Sequence, residues 1–249
     1  MKRLIMVMGL ALVSVFGQIL LAQDRVISVT VFGNLLQPTG RFSDNIGEGA
    51  SLTRRFGFNI GDDAGLATKG FGGGLEFSTP VLTSHLSWVI GARVLFNPVD
   101  DARITDFFED EYDDTLDVDF ENGSWLNVPI FTGLRYHYGI SNNMNLYAIA
   151  QGGVNLTRQA SRKAYVEGII AEETSFNLSP DFGYELGFGV ELLKTYNIGV
   201  RYLNLGAPRY EGTRRLNERF FPLIPKREMY ISGDSRPVSM IVLFLGYTL

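Results

Sequence analysis

The sequence predicts an all-β chain: an eight-stranded antiparallel up-and-down transmembrane β-barrel with short periplasmic turns and four long extracellular loops. Three observations predict it. In residues 182–192, FGYELGFGVEL, every even position is apolar or aromatic and every odd position is Gly or Glu. A period of two is the signature of a strand with two unlike faces. Seven other segments repeat this alternation, and the connections between them are short and long in turn. A strand whose broad face is greasy and whose other face is small or charged suits a wall with lipid outside and an enclosed lumen inside.

Met1-Lys2-Arg3 is followed by an apolar run to Leu21, and the character changes at Asp24-Arg25. Residues 1–23 therefore read as a secretory signal peptide, cleaved near Ala22 or Gln23, with the transmembrane barrel in residues 24–249. The chain has no Cys, so an exported domain must hold together by backbone pairing and packing. Removal of Lys2 and Arg3 leaves 20 basic against 27 acidic residues, net −7. That balance speaks against nucleic acid as a partner. Beyond the signal no apolar run is long enough for a membrane helix, so a membrane-spanning reading requires a β-barrel.

In chain order, the expected strands cover residues 27–36, 71–78, 86–97, 126–137, 145–155, 182–192, 196–205 and 238–249. Val29 and Val31 alternate with Thr30, Phe32 and Asn34; Trp88, Ile90 and Val94 alternate with Val89, Gly91 and Arg93. The last strand is apolar on both faces. Residues 79–85, 138–144 and 193–195 are short connections, whereas 38–70, 98–125, 157–177 and 206–237 are long. An up-and-down barrel sorts its loops this way because one rim is closed by tight turns and the other faces the exterior. Both termini then lie on the periplasmic side.

Asn127-Val128-Pro129-Ile130-Phe131-Thr132-Gly133-Leu134-Arg135-Tyr136, followed by Leu146-Tyr147-Ala148 and Gly152-Gly153, resembles the paired strands of the small outer-membrane β-barrels of Gram-negative bacteria, the porin-family barrels of OmpA/OmpX type. The Gly-rich segment 70–77 and the apolar closing strand fit the same pattern. The resemblance implies an outer-membrane location, contact with outer-membrane lipid and lipopolysaccharide, and insertion by the barrel-assembly machinery. Barrels of this family usually end in an aromatic residue; this chain ends Gly246-Tyr247-Thr248-Leu249.

On the inward faces the charges are Glu76, Arg93, Arg135, Glu185, Glu191 and Arg201, three acids and three bases. Buried ions need partners, so a balanced set predicts ion pairs that fill a narrow lumen. Counted from the short turns, Arg93, Glu185 and Arg201 fall at mid-depth and Glu76, Arg135 and Glu191 nearer the periplasmic rim. Aromatics are expected in two interfacial girdles: Trp88, Tyr136, Tyr196 and Tyr247 at the short-turn rim, and Phe71, Phe96, Trp125 and Phe176 at the long-loop rim. Residues 100–121 hold eleven acids and one Arg, while residues 206–237 are rich in Arg. The plain expectation is solvated loops that pair across the rim. The sharper one is a cation-binding loop at Asp113, Asp114, Asp117, Asp119 and Glu121. Its spacing departs from a calcium loop, because Gly123 comes one place late and Val128 stands where a bidentate acid is required.

The two histidines, His85 and His137, both fall at the short-turn end, away from the long loops. Hydrolytic chemistry needs a base beside a nucleophile, with further groups around them. Neither a metal cluster nor a cofactor motif is present in the sequence, so no cofactor is expected. The function expected is a non-enzymatic outer-membrane barrel with a mostly plugged polar lumen, structural or surface-interacting through its loops. A narrow transport barrel and a soluble lipocalin-like ligand carrier are the alternatives.

Overall fold

The computed structural model describes residues 27–44, 51–53, 57–59, 65–81, 83–111, 117–221, 228–233 and 236–249. The expected signal segment, residues 1–23, lies outside them. In chain order the elements are β1 (Ser28–Pro38), a short 3-10 turn (Gly40–Phe42), β2 (Ser51–Thr53), β3 (Gly57–Asn59), β4 (Gly70–Val81), β5 (Thr83–Pro98) and α1 (Asp101–Glu111). There follow β6 (Val118–Asn122), β7 (Ser124–Ser141), β8 (Met144–Arg158), β9 (Arg162–Val166), β10 (Ile169–Phe176), β11 (Ser179–Leu192), β12 (Tyr196–Asn204), β13 (Glu211–Leu216), β14 (Glu228–Ser232) and β15 (Ser239–Thr248).

Eight of these strands close into an antiparallel barrel in the order β1-β15-β12-β11-β8-β7-β5-β4. Closure is made by the first and last barrel strands, from Thr30↔Thr248 to Pro38↔Met240. No barrel strand therefore has an open edge, which is what a strand-built wall in hydrocarbon requires. The tight turn after β11 is held by a Thr195 N–H to Leu192 O bond of 3.0 Å, with Leu193 and Lys194 both at positive φ. Two successive left-handed residues give the turn the twist that suits a hairpin.

The strand faces are sorted as lipid would sort them. Phe182, Leu186 and Phe188 on β11 are 68%, 53% and 67% exposed, whereas Glu185 between them is 0% exposed. Val31 and Leu35 on β1, Ile130 and Leu134 on β7, and Ile241, Leu243 and Leu245 on β15 extend the same outward belt. A soluble lipocalin-like barrel would carry these side chains inside, so that alternative is overturned. Greasy residues outside and ions inside are matched only by a hydrocarbon surround.

The long loops are not simple loops. Strands β14-β13-β10-β9-β6 form a second, five-stranded sheet outside the barrel, and β2 pairs with β3. A core of its own lies under this sheet: Ile104 and Phe108 of α1, Val118 and Phe120 of β6, Ala164 and Val166 of β9, and Leu216 of β13. The opposite face carries one cross-strand row of alternating charge, Glu121↔Lys163↔Glu173↔Arg215↔Glu228. Exposed pairs of this kind are each worth little. The apolar core beneath, and not this row, is what orders segments so rich in charge as a sheet.

Candidate functional site in the lumen and at its outer mouth

The lumen is filled in layers. The deepest layer is ionic. Arg93 donates to both Glu185 carboxylate oxygens, one at 3.0 Å, and Arg201 Nη1 bridges Glu185 at 2.6 Å and Glu76 at 3.0 Å. Arg135 donates to Glu76 as well, and Arg93 stands 3.9 Å from the same carboxylate. All five groups are buried.

The arithmetic of this layer differs from the expectation of three acids and three bases. Glu191 stays at the short-turn rim, where it accepts from Asn145 Nδ2 at 2.9 Å and lies 4.0 Å from His137. Three guanidinium groups therefore face two carboxylates. Aromatic rings supply the remaining compensation. Arg201 lies 4.1 Å from the Phe244 ring centre, Arg135 4.8 Å from Tyr147 and Arg93 5.2 Å from Phe32. The negative face of a ring attracts a desolvated cation. These three aromatics occupy inward positions because they share strand parity with the lumen residues. Tyr147 is fitted against Gly189: a Cβ there would sit 2.5 Å from the Tyr147 hydroxyl.

Glu76 and Arg135 meet although their backbone rows differ. Glu76 is in register with Gly91, and Arg135 with Ser87. Strand tilt brings offset rows together across a narrow barrel. Depth counted along single strands could not show this.

Toward the long loops follows an amide layer. Asn155 Nδ2 donates to Thr157 Oγ1 at 2.6 Å and to Asn127 Oδ1 at 3.2 Å, and the Thr157 hydroxyl lies 2.8 Å from the same Asn127 oxygen. Above it the mouth is packed with apolar side chains. Phe42, carried in by the turn after β1, meets Trp125 edge-on at 5.2 Å, and Trp125 meets Tyr210 at 5.5 Å. Trp125 Nε1 donates to Gly65 O at 3.0 Å, which ties the returning first loop to β7. Leu36, Leu95, Leu203, Leu205 and Met240 complete this stopper.

Two aromatics expected in the girdle belong elsewhere. Trp125 is buried in the stopper because it is in phase with Asn127, Phe131 and Arg135. Phe176 lies on β10, in the outer sheet, and packs against the stopper. Of the others, Tyr136, Tyr196 and Tyr247 face outward near the short turns, Trp88 is half-buried, and Phe71 meets Phe96 at 5.8 Å near the other rim.

The described part of the acidic segment is a strand. In β6 (Val118–Asn122) Asp119 and Glu121 share the exposed face, and Val118 and Phe120 point into the core beneath. Asp119 accepts its neighbour Phe120 N–H at 2.8 Å; Glu121 accepts from Tyr165 OH at 2.7 Å and lies 3.5 Å from Lys163. Asp113 and Asp114 lie outside the described residues. Among the described residues no group of three or more His, Cys, Asp or Glu is placed to hold a metal. His85 is exposed at the short-turn rim, beside Tyr136.

No protein-family model matches the chain, and no curated protein matches it. Solved structures do. A major outer membrane protein from Thermus thermophilus is similar at 10% identity over 90% of this chain and 100% of that chain, with a TM-score of 0.51. The outer membrane protein OprG from Pseudomonas aeruginosa is similar at 13% identity, over 90% and 95% of the two chains, with a TM-score of 0.45. Neisserial surface protein A is similar at 12% identity, over 91% and 98%, with a TM-score of 0.43. At such identities the likeness is one of fold. With a closed barrel, an outward greasy belt and an enclosed ionic layer, the chain has the fold of the small eight-stranded β-barrels of the outer membrane.

Proposed function

We propose that the protein is a closed, non-enzymatic outer-membrane barrel whose work is done by the folded surface that its long loops build. The observation that carries this reading is the stack in the lumen: five bonded ions, an amide layer and an apolar stopper from Phe42, Trp125 and Tyr210. An eight-stranded barrel has room for side chains and little else. A buried ion network of this kind resists passage, because opening it would leave uncompensated charge behind. The five-stranded sheet with its own core favours a surface-interaction role, since an ordered face costs less to dock than a set of mobile loops. Outer-membrane lipid and lipopolysaccharide surround the belt and rim in this reading, and the barrel-assembly machinery delivers the chain.

The test is electrical. Pure barrel is inserted into a planar bilayer, and insertion is confirmed independently by protease protection. The proposal expects no steady single-channel conductance. Reproducible steps from the unaltered chain would overturn it in favour of transport.

A further inference from the structure

The outward wall of the barrel is not smooth near the short turns. Register sets Tyr136, Ala148, Phe188, Val200 and Leu243 in one row across β7, β8, β11, β12 and β15. Tyr136, Phe188 and Leu243 stand exposed, whereas Ala148 is short and Val200 is half-buried. Around Phe188 this relief opens a hollow of 570 Å³ in the outer surface. Ala148, Gly189 and Gly199 are its smallest lining residues, and Tyr138 on β7 and Leu243 on β15 border it at either side. No lining residue is charged, and tyrosine hydroxyls are the only polar side-chain groups among them.

The place of the hollow selects its occupant. It is continuous with the outward greasy belt, so hydrocarbon is what meets it. Tyr136, Tyr196 and Tyr247 mark the headgroup level at the short-turn rim, which sets the hollow in the periplasmic leaflet. Among lipid tails no apolar surface gains by leaving water, and packing decides what stays bound. A chain laid in the hollow is packed from both sides, which a flat wall cannot do. Lys194 stands exposed in the turn between β11 and β12. There the Leu193 N–H donates to Asn143 O at 2.8 Å and ties this turn to the one between β7 and β8. Val190, which lines the hollow, lies on the same strand that leads to Lys194, at most roughly 13 Å along the chain. That is the reach of a glycerol ester and the first part of an acyl chain.

We infer that the wall holds one phospholipid of the periplasmic leaflet, with an acyl chain in the hollow beside Phe188 and its phosphate on the Lys194 ammonium. The volume falls within the roughly 300–1,000 Å³ of pockets that take drug-sized ligands, which suits a stretch of one chain and not a whole lipid. An ammonium serves a phosphate as a point charge, so one lysine on a fixed turn is enough to anchor the headgroup. The inference goes beyond the closed-barrel reading and does not lean on it, since conduction would overturn that reading and leave this hollow as it is.

The test is native mass spectrometry on the full barrel in detergent micelles, titrated with dioleoylphosphatidylglycerol or with dioleoylglycerol, which has the same chains and no phosphate. The expected result is that the first phosphatidylglycerol binds the monomer about tenfold more tightly than the second, and about tenfold more tightly than the first dioleoylglycerol. Ala148→Trp fills the hollow without changing charge and should erase the preference for a first lipid. Lys194→Gln should bring phosphatidylglycerol down to the level of dioleoylglycerol. Leu35→Trp, an equally bulky change in the belt on β1, should leave binding unchanged. The inference is overturned if lipids add with no preferred first one, or if Leu35→Trp weakens binding as much as Ala148→Trp. It is equally overturned if Ala148→Trp or Lys194→Gln, shown folded by heat-modifiable migration, binds like the unaltered chain. A dimer that Ala148→Trp splits would give the hollow to a second copy and overturn it too.

Discussion

Replacing Glu185 by Gln tests the ionic layer with a change of a single atom type. Glu185 is fully buried and holds Arg93 through two oxygens and Arg201 through one at 2.6 Å. The substitution leaves three guanidinium groups facing the single carboxylate of Glu76, all of them buried. Breaking a buried pair by removing one partner costs about 3–5 kcal/mol, because the other charge stays behind without compensation. The assay is reversible urea unfolding of the barrel in lipid vesicles, followed through the fluorescence of Trp88 and Trp125. A loss below about 1 kcal/mol, the range of an exposed pair, would refute the view that these ions are enclosed. The double variant Arg93→Met/Glu185→Met sharpens the test. It removes one charge of each sign and restores the original excess of one cation. Its loss should fall short of the summed single losses by about 1–3 kcal/mol, the range of directly coupled residues.

Other outcomes follow from the same geometry. Leu186→Arg places a charge in the outward belt and should destabilise the vesicle-inserted barrel by about 2–4 kcal/mol, measured by the same unfolding. Gly189→Ala drives a Cβ against Tyr147 and should cost about 1–3 kcal/mol; the penalty should shrink in a Tyr147→Ala background. Trp125→Phe keeps the ring contacts but loses the bond to Gly65, which should cost about 1–3 kcal/mol and make the first loop more open to limited proteolysis. In the outer sheet, the Tyr165 hydroxyl and then Lys163 hold the Glu121 carboxyl below its ordinary pKa. A lowered carboxyl contributes above its unfolded pKa and loses that contribution as pH falls through the folded one. Tyr165→Phe should therefore move the Glu121 titration upward, as read by carboxyl NMR.

The barrel itself was legible because its code is local. A strand with lipid on one side and a lumen on the other must alternate, so each of the eight segments announced itself, and the observed strands differ from the expected ones by only a few residues at their ends. The outer sheet was harder to see. Strands β6, β9 and β13 are five or six residues long and sit among charges, and their apolar positions, such as Val118 with Phe120 and Ala164 with Val166, are too few to stand out. A signal was present at Glu167-Gly168: both are at positive φ, in a two-residue turn between alternating segments. Ile104, Phe107 and Phe108 likewise carried the helical spacing of α1. Membership of the ionic layer could be read from parity, but its stoichiometry could not. Glu191 has the right parity and the wrong depth, while Phe32, Tyr147 and Phe244 act as partners to charge only once tilt has brought the strands together.

Which wall face meets lipid is the claim on which the rest stands, and site-directed spin labelling tests it most directly. The chain has no native Cys, so single cysteines can be placed in turn at residues 182 to 188 and labelled without interference. In vesicles, labels at 182, 184, 186 and 188 should be relaxed by oxygen dissolved in the bilayer and not by a water-soluble nickel complex, with a label at 185 shielded from both. Water-phase access at the even positions, with bilayer oxygen reaching 185, would contradict the assignment of faces.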